Sequence, residues 1–343
     1  MRFPPAADRP VARSLRALPG VAADIATGDG AGARAMFARA ELHGVAGVIW
    51  DAWKANGASV DRDLAAKLDA RALAREMDHH AHLAMLRRID AALDRPAVAL
   101  KGTLFAARYY DRPSARGTTD IDLLVAVGDV ERVMESLASI AYRLADSPAE
   151  VAWSLREHHH LHLAHPEAPD LELHFHAYRG FGITLRTEML AERSVMTDGF
   201  EAIKVPSQED ELVYLAVHAA AHRFGRLAWL HDVRLVVERM SPHALEAAAD
   251  RARSWGVGRA LSLAGELLVD VLGVPPERIR PLGALPMGRH GFVHAVVAEP
   301  RTRLLRAATR FAYATMLADS IPASLRYARS YSVDRARKLL GLD

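Results

Sequence analysis

The sequence predicts an α+β protein, a small mixed sheet flanked by an N-terminal helical region and a C-terminal helical domain. Three observations predict it. Over residues 31–93 apolar side chains recur every three or four positions, the spacing of amphipathic helices. Between residues 97 and 177 the runs shorten and polar and apolar residues alternate, the period of half-buried strands. From Ser207 the helical spacing returns and holds to the end of the chain. The expected parts are a helical region at 1–95, an α/β core at 96–206 and a helical domain at 207–343.

Each element has a local reason. A short helix is expected around Val11, after a Pro-rich start. Residues 31–55 carry Met36, Phe37, Ala40, Leu42, Val45, Val48, Ile49 and Trp53 at helical spacing, with a break near Gly44 or Gly47. A long helix from Asp61 to Leu93 is stopped by Pro96. A strand at 97–100, a Lys101-Gly102 turn and a brief helix at 103–110 follow, then a polar loop to Thr119. Strands are expected at 121–127, 159–164 and 171–177, with helices opened by Asp129 and by Ser147-Pro148 between them. Beyond Val205-Pro206, Ser207 with Asp210 reads as a capping box. Further helices are expected at 229–240, from Ser241-Pro242 to Gly256, at 259–272, and at 292–318 and 323–340.

Composition excludes several classes. The formal net charge of +2 sets no demand for a nucleic-acid partner. There is no cysteine, so no disulfide, thiolate nucleophile or Cys-ligated zinc. No run approaches the ~20 apolar residues of a membrane helix, and the first residues lack the apolar stretch of a signal peptide. A cytoplasmic, non-membrane protein is the expectation. Arginines at 301, 303, 306, 310, 326, 329, 335 and 337 read as a solvated face or, alternatively, as a surface for an anionic partner.

The chemistry gathers around Asp120-Ile-Asp122. Alternate strand residues share a face, so Asp120 and Asp122 point together while Ile121 and Leu123 enter the core. Two like charges so placed call for a cation, and a divalent metal is the usual one. In Leu171-Glu172-Leu173-His174-Phe175-His176 the same alternation puts Glu172, His174 and His176 on one face. If Leu161 and Leu163 of the preceding strand oppose Leu171 and Leu173, then His158, His160 and His162 join that face. Three readings follow: a solvated outer face, a His-rich transition-metal site, or a Glu172 that completes the carboxylate set of Asp120 and Asp122.

These residues resemble a known family. Lys101-Gly102 after an apolar strand, Arg116, Asp120-Ile-Asp122-Leu-Leu-Val125 and Leu171-Glu172-Leu-His174 are similar to the nucleotidyltransferases of the DNA polymerase β superfamily, and most to its uncharacterised bacterial nucleotidyltransferase branch. The segment from His218 to Val233 is similar to that branch as well, and the likeness spans roughly residues 42–272. Thr103 stands where Ser is usual, and the gap from the glycine turn to the Asp pair is longer than in better-studied members. The resemblance implies a polymerase-β-like mixed sheet. It implies Mg²⁺, or Mn²⁺, on Asp120, Asp122 and Glu172, with an NTP as substrate. Glu172 would help deprotonate an acceptor hydroxyl. Gly102 would let backbone N–H groups approach the phosphates, beside Thr103. Lys101 and Arg116 become candidate phosphate cations; their structural alternatives are a solvated lysine and an ion pair with Asp111. His174 would touch nucleotide or metal.

The expected activity is transfer of a nucleoside monophosphate from an NTP, with release of pyrophosphate. The acceptor is open among a small molecule, a peptide or protein, and the 3′ end of a tRNA. Two rivals stand beside it, a catalytically silent nucleotide-binding module and a His/carboxylate transition-metal hydrolase. The block His218, His222, Trp229 and Asp232 reads first as a helix–helix contact and second as part of the acceptor cleft.

Overall fold

The computed structural model describes residues 9–16, 30–57, 60–145, 147–285 and 303–339. The chain opens with helices α1 (Arg9–Arg16), α2 (Gly30–Leu42), α3 (Ala46–Ala55) and α4 (Arg62–Ala92). The break between α2 and α3 falls at Gly44, whose φ of 70° suits a residue without Cβ. Asp61 caps α4 by accepting from the Leu64 N–H. The middle of the chain gives β1 (Ala97–Ala99), α5 (Thr103–Tyr109), β2 (Asp120–Leu124), α6 (Val130–Ser139), β3 (Arg143–Leu144), α7 (Pro148–Glu157), β4 (His160–Ala164) and β5 (Asp170–His174). It continues through β6 (His176–Gly180), β7 (Ile183–Arg186), α8 (Thr187–Ala191), β8 (Val195–Met196) and β9 (Ile203–Val205). The helices α9 (Gln208–Ala221), α10 (Leu227–Arg239), α11 (Pro242–Ser254), α12 (Gly258–Leu272), α13 (Pro276–Ile279), α14 (Arg303–Leu317) and α15 (Ile321–Leu339) complete it. The fold is α+β, as expected. The expected helical segments at 292–302 and Leu340 lie outside the described residues.

Seven strands form one mixed sheet in the order β3-β4-β5-β2-β1-β9-β8, and β6 and β7 form a separate hairpin. The expected register holds: Leu161 pairs with Leu173 and Leu163 with Leu171, which brings His160 opposite His174 and His162 opposite Glu172. On the other side β5 runs parallel to β2, with Glu172 opposite Asp122. The elements not anticipated are short ones: β3, β8 and β9, the β6–β7 hairpin, α8 and α13. β9 extends the sheet beside β1. Its first residues are held by Asp90 of α4, whose carboxylate accepts from the N–H groups of Glu201, Ala202 and Ile203.

The two faces of the large sheet lie against different cores. One face, with Ile121, Leu123, Leu161, Leu163, Leu171 and Leu173, packs on Met85, Leu86 and Ile89 of α4 and on Val130, Val133 and Leu137 of α6. Val98, Leu100 and Leu124 belong instead to a core shared by the N-terminal helices and by α9 to α12. The acidic positions of β2 and β5 are on this second side. Two glycines mark close approaches. A Cβ on Gly47 would fall 2.5 Å from the Ala115 carbonyl oxygen, so α3 lies directly on the turn leading to Arg116. At Gly182, in the β6–β7 turn, the Ala323 carbonyl of α15 leaves no room for a side chain, and Arg326 donates to the Gly182 carbonyl at 2.8 Å. Among the described residues no helix is long and apolar enough to cross a membrane.

Candidate active site

β2, β5 and the turn after β1 bring five of the expected residues together. Asp122 is buried, while Asp120 and Glu172 are partly exposed. Lys101 reaches across them: its Nζ lies 2.7 Å from Asp122 Oδ2 and 3.6 Å from Asp120 Oδ2. His174, on the next inward position of β5, puts Nε2 3.2 Å from Asp122 Oδ1 and 3.3 Å from Glu172 Oε2. The three carboxylates are therefore partnered by one ammonium and one imidazole of the chain itself. Lys101 is no solvated turn residue, since its side chain is only 12% exposed.

The charges stabilise one another against burial. Burial alone would push Asp122 up, but Lys101 and His174 outweigh it and hold the carboxyl below its ordinary value. The hydrogen bond from His174 keeps Glu172 well below the usual carboxylate range. Burial opposes the charges on Lys101 and His174, and the facing carboxylates override it and raise both. With three carboxylates against one ammonium and one imidazole, the cluster keeps a net negative charge in either protonation state of His174.

Gly102 takes φ 78° at the N-cap of α5, a conformation that L side chains resist. A Cβ there would come 3.3 Å from Thr118 Cγ2. The turn thus lies against the strand that carries Asp120. Thr103 follows at the first helical position, buried, with its Oγ1 lacking a hydrogen-bond partner.

Arg116 is held in an ion pair, though not the expected one. Its partner is not Asp111 but Asp232 of α10, which accepts from Nε at 3.0 Å and Nη2 at 2.8 Å. Tyr110 donates to the same carboxylate at 2.6 Å, and the guanidinium lies over the Phe105 ring. This bidentate, buried arrangement ties the loop before β2 to α10.

The opposite wall comes from α9. Tyr214, His218 and His222 stand four residues apart and so share a stripe. Burial raises the Tyr214 phenol, and Asp122 and Glu172 raise it further, which keeps it a neutral donor. His218 is driven well below its ordinary value by burial and then by Lys101, and His222 is lowered by the same two causes. The rings of His218, His222 and Trp229 do pack together, with centroids 4.8 to 5.4 Å apart, and they do so on the wall facing Lys101. The block thus divides: the three rings form the helix–helix contact between α9 and α10, and Asp232 belongs to the Arg116 anchor. Tyr214 was missed altogether. The four-residue spacing was its only signal, and α9 is buried along nearly all of its length.

The histidine face is partly as expected. His160 and His162 stand opposite His174 and Glu172. His176 does not join them; it pairs with Arg186 in the hairpin. The reason is local: the His159 carbonyl accepts from both Phe175 and His176 N–H, which ends the ladder and turns the chain. His158 precedes β4 and packs on Trp153. Among the described residues, three groups have possible metal-ligand atoms within 4.8 Å of one another: Asp122, Glu172 and His174; His160, His162 and Glu172; and His159, His160 and His174.

The site thus sets one buried and one partly exposed carboxylate on adjacent strands of a mixed sheet, with a lysine-bearing glycine turn against them. A family model describing uncharacterised nucleotidyltransferases matches residues 29–273, and the chain belongs to that family. No curated protein and no solved structure matches the chain.

Proposed function

We propose that the protein transfers a nucleoside monophosphate from an NTP to an acceptor hydroxyl, in a reaction dependent on Mg²⁺ or Mn²⁺. The observation that carries this reading is the Cα pairing of Asp122 with Glu172 across parallel strands, with Lys101 and His174 holding their oxygens close. Support for the cation comes from the gathering of three carboxylates, of which Asp122 is fully buried with its Oδ2 2.7 Å from the Lys101 ammonium. Carboxylate oxygens so gathered suit a hard divalent ion. Asp120, Asp122 and Glu172 would hold it. When bound, it would neutralise the triphosphate and acidify the acceptor hydroxyl.

The chain's own residues supply the rest. The acceptor oxygen forms a bond to the α-phosphorus, the bond from that phosphorus to the bridging oxygen breaks, and pyrophosphate leaves. The acceptor proton passes to Glu172, the more accessible carboxylate of the pair. Lys101 would turn from the carboxylates to the departing phosphates, and Gly102 would leave the backbone of the turn open to them beside Thr103. His174 orients Asp122 and Glu172. Arg116, committed to Asp232, acts on the phosphates through the position it gives the 116–120 loop. Positioning and charge neutralisation suffice for such chemistry, so no protein nucleophile is required. The acceptor is a small molecule, a peptide or protein side chain, or a tRNA 3′ end. Incubation with each α-labelled NTP and Mg²⁺ in a host lysate tests the reading. Label on a discrete acceptor supports it, and no labelled product with any of the four NTPs counts against it.

A further inference from the structure

We infer that His159, His160 and His174 form a site for a divalent transition-metal ion of the zinc class, beside the carboxylate centre. The inference does not rest on nucleotidyl transfer. It begins with geometry: one donor atom from each ring lies within 4.8 Å of the other two. The ring centroids are 4.6 Å apart for His159 and His160, 5.0 Å for His160 and His174, and 5.6 Å for His159 and His174. A tetrahedral ion with bonds of about 2.1 Å needs nitrogens roughly 3.4 Å apart, which small side-chain rotations supply.

Two unpartnered nitrogens point the same way. His174 is 3% exposed, yet its Nδ1 has no hydrogen-bond partner. Its Nε2 is engaged by Asp122 and Glu172. That is the carboxylate–histidine pairing that orients a metal ligand from behind: the far nitrogen donates its N–H to a carboxylate and the near one keeps a lone pair. His160 repeats the pattern. Its Nε2 meets His162 Nε2 at 3.1 Å, and its Nδ1 is buried and unpartnered. A buried polar nitrogen left empty-handed is costly, and two of them in adjacent rings mark a place for an ion that bonds to both. His159 is held in position by its own carbonyl, which accepts from Phe175 and His176.

The donor chemistry selects the ion. Three imidazoles favour zinc, cobalt, nickel or copper over magnesium, which prefers oxygen. The neighbouring group of His160, His162 and Glu172 is the weaker choice, because Glu172 is already engaged by His174.

Titration of the purified chain with Co²⁺ in excess Mg²⁺, followed by visible absorption, tests the site. The expected result is the intense spectrum of tetrahedral nitrogen-ligated cobalt, undisturbed by Mg²⁺. His159→Gln and His160→Gln should each weaken it at least tenfold, and Asp120→Asn should leave it within about twofold. X-ray absorption of the zinc-loaded wild-type chain provides a readout independent of any variant: several imidazole shells support the site and an oxygen-only shell overturns it. Absence of tetrahedral cobalt, its displacement by Mg²⁺, or a spectrum unchanged in both histidine variants also overturns it.

Discussion

Lys101 Nζ rests 2.7 Å from Asp122 Oδ2, so the most buried carboxylate of the site already has a cation of the chain's own against it. An incoming divalent ion and Lys101 compete for that oxygen. Lys101→Met removes the competitor and the phosphate contact together. Affinity for Mg²⁺ alone should rise by about tenfold, equivalent to roughly 1.4 kcal/mol, while affinity for the Mg²⁺–NTP complex falls. Calorimetric titration reads both, and a parallel fall in the two affinities contradicts the role given to Lys101.

Glu172 differs from Asp122 in exposure and in the role proposed for it. Glu172→Gln keeps the shape and the contact with His174 but removes the proton acceptor. Transfer should slow by about a hundredfold or more, with nucleotide affinity changed by less than about threefold. Equal losses in both would confine Glu172 to holding the cation and remove it as the proton acceptor.

Asp232 bears on stability. It is 1% exposed and takes three hydrogen bonds from Arg116, two of them shared by Nε, and one from Tyr110. Asp232→Ala strands a buried guanidinium and should cost about 3–5 kcal/mol, read as a shift in the urea midpoint. A loss below about 1 kcal/mol would show that the pair does not anchor the loop.

His231 sets a pH dependence. Burial, then Arg234, lowers it from 6.5 to about 3. Between those values the unfolded chain binds a proton that the native chain does not. Stability is therefore full above pH 6.5 and falls as pH drops toward 3, by up to about 1.4 kcal/mol per pH unit. His231→Gln should flatten the acid limb of the stability curve by that slope between about pH 6 and 4. An unchanged slope would mean that His231 is protonated in the native state.

The central strands were legible because their alternation is clean: leucines at 161, 163, 171 and 173 oppose one another, and the polar residues between them follow. That alone brought Glu172, His160 and His162 to one face. Asp122 and Glu172 were linked by a motif, and the parallel pairing of their strands is a tertiary fact that no local pattern carries. The short strands β8 and β9 have too few residues to show a period. His176 continues the alternation perfectly in sequence, yet a doubly accepting carbonyl at His159 turns it away. Arg116 finds its partner 116 residues later, beyond any spacing argument. The α9 stripe was hidden because a helix buried on most sides shows no polar face to read.

The claim at the centre is that Asp122 belongs to a cation-dependent nucleotidyl-transfer site. It is tested most directly by supplying NTP labelled at either the α- or the γ-phosphate, with and without Mg²⁺, to the wild-type chain and to Asp122→Asn in the same acceptor-containing lysate. The account predicts α-label on the acceptor, γ-label in released pyrophosphate, dependence on Mg²⁺, and loss of at least about a hundredfold in Asp122→Asn. Acceptor labelled from the γ-position, or equal labelling by Asp122→Asn, would contradict it.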